Sequence, residues 1–271
     1  MGKFGRIAFA GASERETGMM DDLQKASMWK RISAFLFDVI LLGIAAVLFA
    51  WCLSTALGYD GYNNMLDAAY VRYGEMYGVN LNLSLSEYDA LSKQELETLN
   101  AAYNALSADE EAVQAYNMII QLTLMITSLG ILFGYVVLEL IIPMQLGNGQ
   151  TLGKKIFGIG LMQQDGVKVN GRVMFVRTFL GKYTLETMAP VLIVMMIWLG
   201  VLGLAGTLVL LGIGLVQVLM LICTKKRLVI HDALAATVAV DIASQMIFAD
   251  HQAMIAYKEK VHAEKAARAA Y

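Results

Sequence analysis

Long apolar runs separated by polar segments dominate the chain. The first run covers residues 32–57 and the second covers 118–142. Each is long enough to cross a bilayer as one helix, which needs about 20 predominantly apolar residues. The third run, 183–222, would be about 60 Å long as a single helix, twice the hydrocarbon thickness. We therefore predict two crossings there, joined at the glycine-rich stretch 199–206.

Charges between the runs indicate how the chain is oriented. Segment 58–117 has ten acidic and two basic residues, whereas 143–182 has six basic and one acidic. Residues 1–31 hold six Lys and Arg, and 223–271 hold seven. Because Lys and Arg prefer the cytoplasmic side, 58–117 is predicted outside and the other segments inside. Both termini are then cytoplasmic, with a re-entrant hairpin at 183–222 as the alternative to two crossings.

Composition agrees with a membrane protein. The chain is 58% hydrophobic and 16% charged, against about 25% charged in ordinary soluble domains. This excess disfavours disordered and coiled-coil chains as well as water-soluble domains. The net charge of −2 provides no general attraction to nucleic acid. The lipid bilayer is thus the predicted partner, and nucleic acid is not.

The segment 58–117 is too long and too regularly patterned for a plain linker, and we predict a helical cap outside the membrane. Three Ser-x-x-Glu patterns, beginning at Ser84, Ser92 and Ser107, are typical of helix capping boxes. The acidic surface of this cap serves solvation, or it concentrates cations near a pore.

The inner segments predict smaller elements. Asp165-Gly166, within 159–171, is flanked by short alternating apolar runs and indicates a small β-hairpin. In the tail, apolar residues recur at helical spacing from Ile242 to Val261. This spacing predicts a cytoplasmic amphipathic helix over about 241–270.

Three acidic residues interrupt the apolar runs: Asp38, Glu139 and Glu186. A charge at the bilayer centre costs about 2.5–3.5 kcal/mol, so such residues usually face the protein interior. Glu139 and Glu186 lie near the ends of their runs, where they can reach the interface or pair with Lys182 or Arg177. Asp38 lies deeper, about a third of the way across.

Arg31 and Asp38 share a helix face, but both side chains lean toward the N-terminus and the gap between them stays open. Asp38 therefore needs a partner from elsewhere. The candidates are a Lys or Arg of 143–182, the His231-Asp232 corner, or a bound cation. Asp38 is then either a proton or cation ligand in a translocation path, or the anchor of a polar network that fixes helix packing.

Three segments together, 30–42, 146–166 and 225–240, resemble the RDD family of bacterial and archaeal membrane proteins. The family is named for one arginine and two aspartates, which we match to Arg31, Asp38 and, less directly, Asp232. A further family motif, Gly-Gln-Thr-x-Gly-Lys-Lys, matches a run on the inner side, namely Gly149, Gln150, Thr151, Gly153, Lys154 and Lys155.

The resemblance implies an all-α integral membrane protein of a prokaryotic cell membrane. Some members resemble sodium–proton antiporters in activity, and others are linked to membrane protease or secretion systems. The resemblance covers roughly 27–57 and 118–241. Segments 58–117 and 242–271 inherit nothing from it.

Other patterns point away from enzymatic chemistry. The run around Gly153-Lys154 lacks the glycine and Ser/Thr spacing of a P-loop. His231 beside Asp232 suggests either a proton relay or, as we favour, a helix N-cap at Asp232. His251 and His262 lack metal-ligand spacing. We expect no enzyme activity, no metal and no cofactor.

The resulting fold prediction is four transmembrane helices, the last two as a hairpin, with a helical outer loop, an inner β-hairpin and a cytoplasmic tail helix. The leading function is cation or proton-coupled transport through an oligomer. In it Asp38 is the ligand, Arg31 its gatekeeper and Asp232 the cytoplasmic acid, with Glu139 and Glu186 auxiliary. The alternative is a membrane scaffold or a regulator of a membrane protease or secretion system, in which Arg31, Asp38 and Asp232 are purely structural.

Overall fold

The computed structural model describes residues 24–224 and 227–269. Most of the predicted N-terminal segment 1–31 and the tail residues 270–271 lie outside this range, as do Lys225 and Lys226. Within the described residues four helices are long and apolar enough to cross a membrane. They are α1 (Met28–Leu57), α5 (Glu110–Leu146), α7 (Gly171–Trp198) and α8 (Gly203–Cys223). The prediction of an all-α membrane protein with four such helices is confirmed.

The third of these helices begins earlier than the apolar run that predicted it. Helix α7 begins at Gly171 instead of 183, because two basic residues assigned to the inner loop, Arg177 and Lys182, are buried within it. The turn between α7 and α8 lies inside the predicted glycine-rich stretch. A Cβ added at Gly206 of α8 would lie 2.8 Å from the Ile197 side chain of α7, so the two helices pack closely there.

Three helices make up the predicted helical cap, in the order α2 (Tyr59–Tyr77), α3 (Leu85–Asp89) and α4 (Lys93–Ala108). The capping boxes at Ser84 and Ser92 are confirmed, with both reciprocal hydrogen bonds formed. The third is wrong. Ser107 lies inside α4, and the Asp109 carboxylate instead accepts the backbone N–H groups of Glu111 and Ala112 at the start of α5.

Two compact units divide the structure, and Ala45–Phe133 is one of them. Its core is formed by buried small and aliphatic side chains, chiefly Ala69, Leu81, Leu99, Ala102 and Leu106. The Tyr103 hydroxyl donates to the Leu81 carbonyl at 2.6 Å, and Arg72 pairs with Asp109. Short-range helix capping and this core together order the cap.

The other unit holds residues 24–44 and the described residues from Gly134 onward; we call it the network unit. Strand β1 (Ile159–Gln163) pairs antiparallel with β2 (Thr237–Asp241), so that Ile159 lies opposite Asp241. The predicted hairpin is thus corrected. The turn forms, with Gly166 N–H donating to the Gln163 carbonyl at 3.0 Å. The residues after it make two isolated bridges instead of a strand, Lys168 back to Met162 of β1 and Val167 to Phe248. The partner strand comes from far along the chain.

Four short or irregular elements complete the network unit. Helices α6 (Leu152–Ile156) and α9 (Ile230–Leu234) are each about one turn long. Segments of α5 (Val136–Ile141) and α7 (Val176–Met188) are π-helical, and α9 packs against the second of these. Insertions of this kind are rare and occur often at functional sites.

The tail helix α10 (His251–Ala269) begins later than predicted. Ile242 and Ile247 precede it and lie over Gly160 of β1, where a Cβ would come within 2.9 Å of the Ile242 side chain. The Phe248 carbonyl accepts the Lys168 N–H at 2.8 Å. The first apolar residues of the predicted helix face therefore cover the sheet instead.

Candidate functional site

Asp38 is held by the Gly-Gln-Thr-x-Gly-Lys-Lys motif. One of its oxygens accepts the Thr151 hydroxyl at 2.5 Å and the other accepts the Gly153 N–H at 2.8 Å. Asp38 is half-buried. No basic nitrogen of the described residues lies within 4.0 Å of its carboxylate, the limit for an ion pair. The partner segment expected from the sequence, 143–182, is right, but its donors are a hydroxyl and an amide.

Contacts in the structure explain the residue type at most positions of this motif. Gly149 has a φ of +58°, which favours glycine, and the Gln150 amide donates to the Ile159 carbonyl at 2.9 Å. Thr151 accepts the Lys154 N–H as the N-cap of α6. A Cβ at Gly153 would collide with the Ala34 carbonyl and lie 2.9 Å from the Asp38 carboxylate. Glycine is therefore required for the amide to reach Asp38.

Of the two lysines that end this motif, Lys154 is half-buried and Lys155 is exposed. The Lys154 ammonium is 3.4 Å from the Thr151 hydroxyl oxygen. Burial lowers the pKa of Lys154 to about 7, and Lys182 and Arg177 act in the same direction while Glu139 and Asp38 oppose them.

Asp232 is a fully buried acidic residue of the network unit, with 1% of its surface exposed. It lies 3.0 Å from Arg177 Nε and 2.9 Å from the Thr237 hydroxyl, which donates to it. Arg31 Nη2 is 3.6 Å away, and Arg31 Nη1 donates to the Arg227 carbonyl at 2.7 Å. Arg31 therefore lies beside Asp232 and not Asp38, in agreement with the open gap expected between Arg31 and Asp38. Its role as gatekeeper stays a prediction.

Burial by itself would raise the pKa of Asp232, but Arg177, His231 and Arg31 outweigh it and hold that pKa below its usual range. The N-cap prediction for Asp232 is wrong. Val229 occupies the N-cap of α9, and Asp232 lies inside the helix with its carboxylate turned to Arg177.

Glu139 pairs with Lys182, one of the partners expected from the sequence. The Lys182 ammonium is 2.5 Å from Glu139 Oε1, and the Thr178 hydroxyl donates to the Glu139 carbonyl at 3.0 Å. Glu139 lies in the π segment of α5, and Lys182 and Thr178 lie in that of α7. Glu139 Oε2 and Arg177 Nη1 are buried without a hydrogen-bond partner among the described residues. The network is therefore incomplete at two atoms.

Glu186 binds His231, a pairing that sequence reasoning missed. Its carboxylate is 2.6 Å from His231 Nδ1 and accepts the His231 backbone N–H at 2.9 Å. Burial and the nearby Arg177 lower the pKa of His231. A Cβ at Gly181 would lie 2.5 Å from that of His231, so α9 packs tightly against the π segment of α7.

The network unit holds all six residues predicted from the sequence for an ion or proton network, but in three groups. Asp38 contacts Thr151 and Gly153, and Glu139 contacts Lys182. The third group joins Arg31 to Asp232, Asp232 to His231, and His231 to Glu186. Sequence reasoning proposed Arg177 only as an interface partner of Glu139 or Glu186 and missed its pairing with Asp232. The signal for it was weak: a basic residue five positions before Lys182, close to the spacing of one π-helical turn.

A search of family models gave one decisive result. The model of the RDD family matches residues 25–236. The chain belongs to the RDD family. Neither a curated protein nor a solved structure matched the chain. The resemblance seen in the sequence is therefore confirmed.

Family membership and the four apolar helices together make this a multi-pass membrane protein in contact with lipid. We matched three residues to the arginine and the two aspartates that name the family. Two of them, Arg31 and Asp232, lie beside each other. The third, Asp38, is bound by the Gly-Gln-Thr-x-Gly-Lys-Lys motif.

Proposed function

We propose that this RDD protein is a proton-coupled cation transporter with Asp38 as its intramembrane carboxylate. One observation carries the proposal. Glu139 and Glu186, the other acidic residues of the apolar runs, each have a basic side chain within 2.6 Å, whereas Asp38 has none within 4.0 Å among the described residues. An acid held at membrane depth by neutral donors is free to bind a cation or a proton.

The remaining charged residues act as positioning groups in this proposal. Asp232 is the cytoplasmic acid, and with Arg31 and Arg177 it fixes the start of α1 against α7 and α9. Glu139 and Glu186 are auxiliary. Glu139 joins the π-helical segment of α5 to that of α7 through Lys182, and Glu186 joins the π-helical segment of α7 to α9 through His231. Buried ion pairs of this kind specify one arrangement of helices even when they add little net stability.

The orientation follows from the basic segments. We place the protein in a prokaryotic cell membrane with both termini and the segment 143–182 in the cytoplasm. The motif that binds Asp38 then approaches it from the cytoplasmic side. Four spanning helices are few for enclosing a path, so transport requires an oligomer of this chain.

Proteoliposomes test the proposal. The purified full chain is reconstituted with a pH-sensitive dye in the lumen, and gradients of Na⁺, K⁺ or Li⁺ are imposed in turn. We expect at least one cation gradient to move protons through the wild type, and Asp38→Asn to abolish that movement. Asp89→Asn, the same change at an exposed residue of α3, serves as the control. No proton movement with any of the three cations contradicts the proposal.

A scaffold or regulator of a membrane protein partner is the second candidate function. It is favoured by the internal pairing of Asp232, Glu139 and Glu186, which holds the helices together without needing an ion. Under this candidate Asp38→Asn lowers the thermal stability of the protein in detergent, and wild-type vesicles show no cation-dependent flux. Intact stability together with lost flux argues against it.

A further inference from the structure

A narrow cleft in the network unit is lined by two acidic residues. Asp38 and Glu139 line it together with three leucines, Leu41, Leu138 and Leu152. The leucines offer no hydrogen bonds, so the polar surface of the cleft comes from the two carboxylates. Both are within the apolar runs, where such a pair needs a compensating charge.

Glu139 brings an atom to this cleft that the fold leaves unused. The residue is 5% exposed, and its Oε1 is paired with Lys182, but its Oε2 has no hydrogen-bond partner in the part of the chain that the structure describes. Leaving a buried acceptor unpaired costs about 1–3 kcal/mol, and more for a charged group. A ligand that supplied positive charge at Oε2 would remove that cost.

We propose that Asp38 and Glu139 Oε2 together bind one small monovalent cation, with the Thr151 hydroxyl oxygen as a third ligand. This inference rests on the proposed transport function and names its binding site. Lys182 neutralises Glu139, and the Lys154 ammonium is the cation that now lies beside Thr151. When the bound cation displaces that ammonium, the two carboxylates and Lys182 leave one negative charge. A single positive charge balances it, whereas a divalent ion would leave an excess.

The cleft has no room for a water molecule. A cation therefore enters only when the cleft widens and the ion exchanges its hydration shell for carboxylate and hydroxyl oxygens, as in selectivity filters. The Lys154 ammonium competes with a bound cation, because it contacts the same Thr151 oxygen at 3.4 Å. Removing that charge should favour the cation.

Equilibrium binding of radioactive Na⁺ or of Tl⁺, a K⁺ analogue, to the detergent-solubilised full chain tests the site. Glu139→Gln alone leaves Lys182 unpaired and endangers folding, so the test uses the double variant Glu139→Gln/Lys182→Met, which keeps the pair neutral. We expect saturable binding in the wild type, its loss in Asp38→Asn, and at least roughly tenfold weaker binding in the double variant, since 1.4 kcal/mol is tenfold in affinity. Lys154→Met should bind more tightly.

The outcomes separate this site from the transport proposal. Binding that Asp38→Asn abolishes but the double variant leaves unchanged overturns the role of Glu139 while leaving Asp38 as a ligand. No saturable binding in the wild type overturns the site, whatever the flux assay shows. Saturable binding with the expected variant pattern but without flux supports the site and overturns transport.

Discussion

Breaking the buried pair between Arg177 and Asp232 should destabilise the protein more than any surface change. Both residues are 1% exposed, and Arg177 Nε lies 3.0 Å from the Asp232 carboxylate. In Asp232→Leu the Arg177 guanidinium stays buried without its counter-charge. Removing one partner of such a pair costs about 3–5 kcal/mol.

The double variant Arg177→Met/Asp232→Leu gives the critical comparison. Replacing both partners by apolar side chains of similar volume is often neutral or stabilising, and here it also removes Arg177 Nη1, a buried donor without a partner. We therefore expect the double variant to recover most of the stability that Asp232→Leu loses. Lys30→Met breaks the more exposed Lys30–Asp241 pair, with Lys30 43% exposed, and should cost under about 1 kcal/mol.

Thermal unfolding in detergent, followed by intrinsic tryptophan fluorescence, measures these differences. A loss of 3 kcal/mol corresponds to a Tm decrease of roughly 6–12 °C for a chain of this size. If Asp232→Leu and the double variant lose the same stability, the cost comes from packing and not from the uncompensated charge. That result refutes the reasoning.

Three further predictions concern the cap and the motif. Ser92→Ala removes a capping box and should lower unfolding free energy by about 1 kcal/mol; an unchanged Tm contradicts it. Gly153→Ala places a Cβ against Asp38 and should abolish cation-dependent flux while the protein still inserts; normal flux contradicts it. Because the folded-state pKa of Lys154 is lowered from 10.5 to about 7, the unfolded chain binds the extra proton between these values and stability rises with pH across that window. Lys154→Met should remove roughly 2 kcal/mol of that rise, a discounted figure because the ammonium is half-buried, and an unchanged slope of Tm against pH contradicts this.

Features set by neighbouring residues were predictable from the sequence. The capping boxes at Ser84 and Ser92 need only a Glu three positions later, and both form. At Ser107 the same pattern fails because Asp109, nearer to the start of α5, accepts the free N–H groups itself. Local patterns therefore predict a cap only where no better acceptor competes.

Features set by contacts between residues distant in the sequence could not be predicted from the sequence. Hydropathy assigns Arg177 and Lys182 to a loop, because a charged residue has the same hydropathy value whether it is solvated or buried against an acidic side chain. The partner of Arg177 lies 55 residues away and that of Asp38 lies 113 residues away. Strand β1 likewise pairs with β2 and not with the residues that follow the Asp165-Gly166 turn, so no local signal identifies β2 as its partner.

Initial rates of cation-driven proton movement in wild-type and Asp38→Asn proteoliposomes, at equal amounts of folded protein, measure whether Asp38 carries transport. We expect a measurable rate for the wild type and for Asp89→Asn, and a rate at the level of protein-free vesicles for Asp38→Asn. Equal rates in wild type and Asp38→Asn contradict the assignment of Asp38 as the transporting carboxylate.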